Sequence, residues 1–481
     1  MKKFTLLFVL GVMLVTFCVA CSKDDNKEPE SAQNVVPEQN LVSITGRRTY
    51  EAKELPELVS YSNLAKHYFG DESTLKIFKA AIAVIRNNRL YALDTVFANS
   101  KSLIGYKRDW YVESYSFTYN STSAKGEPIV LSGRVSFPTY KNGTGNEVAS
   151  LSLCTHFLLH GHNQAPTIDD PSPLAIRVLY NSAVVEPDFE GYGLTKDVPF
   201  PGFSYEAQGT QMIDCARAAL QVMRSRGVTL AADGYSTAWG NSLATPGVMG
   251  LLKVYDTRTT QAVRDQIRLK SAYTGCGPLI FTELLKYYDE HPEYDCEGLI
   301  YLPTFFSALP QSIFGGYELK DFFADWMQDY MVEVEGGEEM SYFEGLVKHK
   351  MVWNLDLPDS VSSHGVSNFL AADMCTAEGH MNYDSEKVKI LLKVMDELCN
   401  WGDWTPKEDT YLVHCQEDNF IPYVSSRTFY DERSSSGKLR FKNVSTGVFE
   451  SVLRPHAAST AVSLFLSMMH EDPASAFKYT L

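Results

Sequence analysis

Beyond its first twenty residues the chain has no apolar run long enough to cross a bilayer, so any membrane attachment has to come from that leader. Positive charge is also scarce. Against 59 Asp and Glu stand only 43 Lys and Arg, a formal charge of −16. A surface of that sign repels phosphate, which argues against nucleic acid as a partner. The cysteines after residue 21 contain no CxxC pair and nothing with the rhythm of a zinc site, so no metal and no organic cofactor is implied. Of nine cysteines, Cys18 and Cys21 fall in the leader, which leaves an odd number and at least one free thiol. One bridge, such as Cys276 with Cys296, is open to the chain in an oxidising compartment. Most of the others lie in apolar stretches and read as small core residues. There is no internal repeat.

What the sequence does have begins with an address. Lys2 and Lys3 precede a mostly apolar run from Phe4 to Ala20, too short and wrongly flanked for a working transmembrane span. It ends in Cys18-Val19-Ala20-Cys21, which resembles the lipobox of bacterial lipoproteins. The resemblance implies cleavage ahead of Cys21 and a lipid on its thiol; the plainer alternative is a secretory signal that happens to contain a cysteine. Ser22 to Glu30 (SKDDNKEPE) resembles the export signal of surface lipoproteins of the Bacteroidota. The implied location is the cell envelope, lipid-anchored to the outer membrane and surface-exposed, with the membrane as one partner. Residues 1–20 are then the signal peptide and 21–45 a polar tether.

About 430 residues remain, more than one core needs, so one large domain with a sizeable insertion or two closely packed parts is expected. From Glu51 to Asn99 apolar residues recur with helical spacing (Leu75, Phe78, Ile82, Ile85, Leu90). The period then changes. Trp110 to Pro138 alternates as two strands around a turn at 124–128, a long antiparallel hairpin. Strand and helix alternate next: Val148–Leu159, Ala183–Val185, the helix Tyr205–Arg226, Tyr235–Trp239, the helix Val248–Tyr255 and Leu269–Tyr273. That order predicts a mostly parallel sheet covered on both faces. Residues 279–405 break the rhythm with aromatic-rich helical patterns and no clear strand. It returns with Thr410–Val413 and a final helix from His456 to Met469. The domain so read runs through 46–278, carries a helical cap insertion at 279–405, and closes with 406–481.

A nucleophilic serine on a sharp strand-to-helix turn needs small residues two before and two after it. Gly234-Tyr235-Ser236-Thr237-Ala238 and Gly240-Asn241-Ser242-Leu243-Ala244 both fit loosely. With Ser236 at the turn, the following helix would have to absorb Gly240, Pro246 and Gly247, and an interior proline costs about 3 kcal/mol. With Ser242 at the turn, Tyr235–Trp239 is the strand and Pro246 falls in the first helical turn, where its missing N–H is harmless. Ser242 is therefore the candidate, against an ordinary Gly/Ser turn as the bland reading.

Chain order strengthens it. In the class of proteins that this strand, turn and helix resembles, an acid follows a later strand and a histidine precedes the last helix. Tyr411-Leu412-Val413-His414 is an apolar strand with Asp418 in the loop beyond it, and Glu417 is the fallback acid. Arg454-Pro455-His456 opens the final helix. His456 would take the Ser242 proton, and Asp418 would orient the imidazole and stabilise its charged form. Alone, each has a duller reading, as cap or turn residue. His414 reads as a structural residue at the strand end, and His380 is a reserve base only. The oxyanion hole should use the N–H of Leu243 with one from the loop 156–162, where His160 and Gly161 are the candidates.

With these residues in place the chain resembles the bacterial secretory lipase and esterase branch of the α/β-hydrolases. The matching stretches are VVEPDFEGYG (184–193), AWGNSLAT (238–245), YLVHCQEDNFIP (411–422) and PHAA (455–458), and the hairpin looks like that branch's opening. The resemblance reaches from about residue 110 to the end. It implies an α/β-hydrolase fold with a mostly parallel sheet, an N-terminal antiparallel hairpin and a helical cap. It also implies hydrolysis of small-molecule carboxylic esters, acyl lipids or acylated glycans among them, through an acyl-enzyme on Ser242. The elbow departs from the pattern: Asn241 and Ala244-Thr245 replace an aromatic and paired glycines. A peptidase or amidase with the same residues, or a surface protein that binds ligand without turnover, are the rival readings.

Overall fold

The computed structural model describes residues 40–51, 110–140, 146–155, 165, 167, 172–202, 204–334, 337–348, 357–398, 400–418, 420–444 and 455–471. The expected signal peptide, the helical pattern of 51–99 beyond residue 51, and the loop with His160 and Gly161 lie outside them. Nine strands form one sheet: β1 (Leu41–Glu51), β2 (Trp110–Thr122), β3 (Pro128–Tyr140), β4 (Asn146–Cys154), β5 (Ser182–Pro187), β6 (Val228–Asn241), β7 (Leu269–Gly275), β10 (Asp409–Cys415) and β11 (Leu439–Val444). A separate hairpin pairs β8 (Met331–Val334) with β9 (Glu338–Ser341). Across the large sheet the order is β1-β2-β3-β5-β4-β6-β7-β10-β11.

The two halves of the sheet differ as their sequences do. In the hairpin β2–β3, Tyr115, Phe117 and Tyr119 are buried, while Ser116, Thr118 and Asn120 between them are more exposed. They face Val135, Gly133 and Leu131 across the strand pair, and Tyr115 stacks on Phe137 with ring centroids 5.6 Å apart. Each such buried side chain contributes about 1.5–3 kcal/mol. The inner strands are covered on both faces: β3 is buried from Leu131 to Pro138, and β5 at all six positions. The run β5-β4-β6-β7-β10-β11 is parallel throughout. β1 starts at Leu41, inside the stretch read as tether. Its edge pairing with β2, and the N–H of Leu41 donating to Gln221 Oε1 at 2.8 Å, fix residues too polar to announce a strand.

Helices cover both faces. They are α1 (Tyr205–Ser225), α2 (Thr245–Thr257), α3 (Gln261–Ile267), α4 (Phe281–Glu290), α5 (Glu386–Leu398), α6 (Tyr423–Arg433) and α7 (Pro455–Glu471), with several one-turn helices between. Successive residues of β6 point oppositely. Trp239 donates its Nε1–H to Ser463 of α7 at 3.2 Å, whereas a Cβ on Gly240 would lie 2.7 Å from Val248 of α2. Thus α2 and α7 lie on opposite faces of β6. α1 and α2 cross where Gly250 faces the Tyr205 carbonyl, so closely that a Cβ there would be 1.9 Å from its oxygen.

Between β7 and β10 the chain is mainly helical, but the β8–β9 hairpin corrects the expectation that this stretch has no strand; four-residue strands are too short to show a period of two. Its aromatics are chiefly packing groups: Phe305, Phe306, Phe314, Phe322, Phe323, Tyr342 and Phe369 are all buried and belong to the cluster that includes the sheet residues. Cys276 and Cys296 are free thiols, so the bridge between them does not form.

Candidate active site

Strand register brings distant residues to one level. Asn241 at the end of β6 is the lateral partner of Gly275 in β7, which is the partner of Val413 in β10. Whatever follows these three residues therefore emerges together at the carboxyl edge of the sheet. β4 is followed by β5 on one side and by β6 on the other, so the strand order reverses direction there. Open α/β sheets bind ligands beyond the carboxyl ends of strands at such a reversal.

Ser242 follows β6 with φ +54°, one of four non-glycine residues at positive φ among those described. That backbone turn carries Ser242–Ala244 in a 3₁₀ turn straight into α2, with Pro246 at its start. The small residues around it answer to contact. A Cβ on Gly240 would stand 2.3 Å from Thr155 Oγ1 and 2.8 Å from the Ala244 carbonyl. Thr245 in place of a glycine is accommodated because its Oγ1 donates to the Gly275 carbonyl at 3.1 Å. Asn241 is accommodated similarly. With its amide set to satisfy both ends, Nδ2 donates to Gly275 O at 3.1 Å and Oδ1 accepts the Ser242 N–H at 3.2 Å.

His456, the second residue of α7, places Nε2 3.0 Å from Ser242 Oγ and Nδ1 2.9 Å from Asp418 Oδ2. Asp418 is fully buried, and its Oδ1 accepts the N–H groups of Phe420 (3.0 Å) and Ile421 (3.1 Å). Burial pushes the Asp418 carboxyl up, but the charge of His456 and the hydrogen bonds from His414 and His456 outweigh it, leaving it well below the usual carboxylate range. For His456, burial lowers the imidazole, yet the Cys276 sulfur and the Asp418 carboxylate together hold it well above its ordinary 6.5. The ring of Phe420 lies edge-on to that of His456, 5.2 Å between centroids.

The other candidates go elsewhere. Ser236 is buried within β6 and donates its hydroxyl to the Ile267 carbonyl. Glu417 is exposed, accepts from Cys415 Sγ at 2.9 Å and makes no contact with His456. His380 sits against the Asp289 carbonyl at 2.9 Å and has no contact with Ser242. Leu243 is on the turn directly after Ser242, while His160 and Gly161 lie outside the described residues.

Two neighbours have other readings from the sequence, Cys276 as a bridge partner and His414 as a structural residue at the strand end. Cys276, at φ +39° just past β7, has Sγ 3.7 Å from His456 Nε2, and only the β6–β7 register puts it there. His414 is wholly buried with Nε2 3.5 Å from Asp418 Oδ2. Cys276, Asp418 and His456 are the only group with the makings of a metal site among the described residues, their ligand atoms within 4.8 Å of one another. Both nitrogens of His456 are engaged with Ser242 and Asp418, so an ion there would have to displace those bonds.

The sheet order, its crossing helices and the strand-to-helix turn after β6 define an α/β-hydrolase fold. Solved structures agree. A single-residue mutant of the rice cell wall degrading esterase LipA from Xanthomonas oryzae superposes with TM-score 0.56 at 15% identity, covering 80% of this chain and 94% of that one. A putative hydrolase from Legionella pneumophila gives TM-score 0.54 at 15% identity, covering 82% and 96%. At that identity the likeness is one of fold. No family model and no curated protein matches the sequence.

Proposed function

We propose that the chain is a serine carboxylester hydrolase. The observation that carries the reading is the continuous hydrogen-bonded path from Ser242 Oγ through the two nitrogens of His456 to Asp418, at the carboxyl edge of the sheet. In the proposed reaction, Ser242 Oγ attacks the ester carbonyl carbon as His456 Nε2 takes its proton. The N–H of Leu243, on the turn directly after Ser242, would stabilise the oxyanion. The carbon–oxygen bond to the alcohol then breaks, and His456 hands that proton to the leaving alkoxide. Water, deprotonated by the same imidazole, then attacks the acyl carbon; the bond from that carbon to Ser242 Oγ breaks, His456 returns the proton to Oγ, and the acid is released. Residues 279–405 are proposed to act as a cap. Their buried aromatics serve the cap's own packing, so apolar contact with an acyl group falls to rings such as Phe420, beside His456. Esters are favoured over amides as substrates because the rice cell wall degrading LipA, which shares the fold, is an esterase.

A fluorophosphonate probe tests the nucleophile. Wild type and Ser236→Ala should label, and Ser242→Ala should not, with ester turnover falling about 10³–10⁶-fold. An unlabelled wild type would favour a ligand-binding protein that does not turn over. Cleavage of peptide amides in preference to acyl esters would favour a peptidase.

A further inference from the structure

The register that carries Ser242 to the carboxyl edge of the sheet also brings a thiol there. Asn241 is the lateral partner of Gly275, so the residues that follow them, Ser242 beyond β6 and Cys276 beyond β7, emerge at the same level. Cys276 is buried, turns at φ +39°, and donates its N–H to the Val413 carbonyl of β10 at 2.8 Å. Its Sγ stands 3.7 Å from His456 Nε2. That separation has a meaning in coordination chemistry. Zinc bonds to sulfur at about 2.3 Å and to imidazole nitrogen at about 2.0–2.1 Å, so two such ligands on a tetrahedral ion stand about 3.6 Å apart. Sγ and Nε2 are spaced as a bound ion would hold them. The other side of the ring suits the role too. Asp418 Oδ2 lies 2.9 Å from Nδ1, and a carboxylate only accepts, so Nδ1 carries a hydrogen and the lone pair of the neutral ring is on Nε2. A metal-ligating histidine is ordinarily held in this way, with a carboxylate on its other nitrogen. Ser242 Oγ, 3.0 Å from Nε2, is a third group within reach of the same ion.

We propose that Cys276 Sγ and His456 Nε2 form a binding site for a soft divalent cation, zinc or cadmium, and that its occupation switches the hydrolase off. On binding, the Cys276 thiol releases its proton to solvent, sulfur and Nε2 each give the ion a lone pair, and Ser242 Oγ or water completes the shell. An ion shared by these two atoms leaves the bond from Nδ1 to Asp418 in place and displaces only the one between Nε2 and Ser242. Ser242 then has no acceptor for its proton. The sulfur sets the selectivity: thiolate and imidazole suit zinc and cadmium, whereas magnesium and calcium take oxygen ligands.

The switch rests on the reading of Ser242 and His456 as catalytic, but the binding does not, and the two are tested apart. X-ray absorption of the full chain with one equivalent of zinc should show one sulfur at about 2.3 Å beside nitrogen or oxygen at about 2.0–2.1 Å. That sulfur should vanish in Cys276→Ser and in Cys276→Ala. A shell of nitrogen and oxygen alone in wild type, or a sulfur that survives in either variant, would overturn the proposal. The second test is kinetic. Zinc should lower kcat for an acyl ester at least about tenfold in wild type, reversibly on adding EDTA, while magnesium or calcium at the same concentration should not. Inhibition is read against each variant's own rate without metal. Loss of an outer partner alone weakens such sites about 10–100-fold, so removal of the sulfur should raise the zinc concentration for half inhibition about a hundredfold or more. Equal sensitivity of wild type and both variants would refute the switch. Failure of wild type to turn over any ester would sink the catalytic reading and leave the sulfur shell to decide the site.

Discussion

Ser242 and its partners make opposite demands on pH. The proposed base must be neutral to accept the serine proton, and His456 is held well above 6.5, so its neutral form is reached only on the alkaline side. Plots of kcat/KM against pH are therefore expected to climb about tenfold per unit through neutrality and level off above it; a midpoint at or below 6.5 would contradict this. Stability runs the other way. A histidine raised in the fold stabilises it fully below the unfolded value and loses that contribution as pH rises through the folded one. A carboxylate lowered in the fold stabilises it above its unfolded value, here 3.8, and loses that contribution as pH falls. Both contributions are present together between about pH 4 and 6.5. Thermal unfolding of wild type and Asp418→Asn should accordingly differ most in that window and converge in acid. The same variant should lose about 10³–10⁴-fold in kcat at neutral pH, because the amide supports the wrong imidazole tautomer.

At the scale of elements, the site depends on how closely α2 approaches β6 and α1. Pro246 opens α2, Gly240 admits Thr155 and Val248, and Gly250 lets the α1–α2 crossing close. A Cβ on Gly250 meets backbone, which cannot rotate away as a side chain end can. Gly250→Ala should therefore exceed the usual cost of overpacking and destabilise by about 3 kcal/mol or more, read from urea unfolding. Gly437→Ala is the contrast: nothing lies within 4 Å, and only its φ of +68° is at stake, so about 1 kcal/mol is expected. Equal losses in the two would show that the crossing is not the constraint. Long elements such as β2, β3 and α1 were legible because a regular spacing of apolar residues runs along each sequence, although β3 is buried without a break from Leu131 to Pro138. β11 and α6 were not: β11 is a short, mostly polar strand held by its pairing with β10, and α6 is only weakly amphipathic.

For the whole molecule, an acidic chain with an apolar leader and a cysteine at residue 21 is proposed to be held at the cell envelope by one lipid. A lipid adds about 0.8 kcal/mol per buried CH₂, enough to move an otherwise polar protein into a detergent phase. Full-length wild type made in a bacterium should partition into the detergent phase of Triton X-114, and Cys21→Ser into the aqueous phase. Identical partitioning would leave residues 1–20 as a plain secretory signal.

Much of this molecule is written locally. The hairpin, the alternation of strand and helix, and the order Ser242, Asp418, His456 follow from periodicity and turn chemistry, which act over a few residues. Which polar groups touch is another matter. Ser236 and Ser242 occupy similar pentapeptides, yet one hydroxyl is bonded to a neighbouring backbone and the other faces an imidazole 214 positions away. Asp418 and Glu417 are adjacent, yet one is buried between two histidines and the other faces solvent. Those choices rest on the register of β6, β7 and β10 and on the packing of α7 against β7 and β10. A pairing set by long-range strand alignment leaves no trace in the neighbouring residues, so only the tertiary structure could decide it.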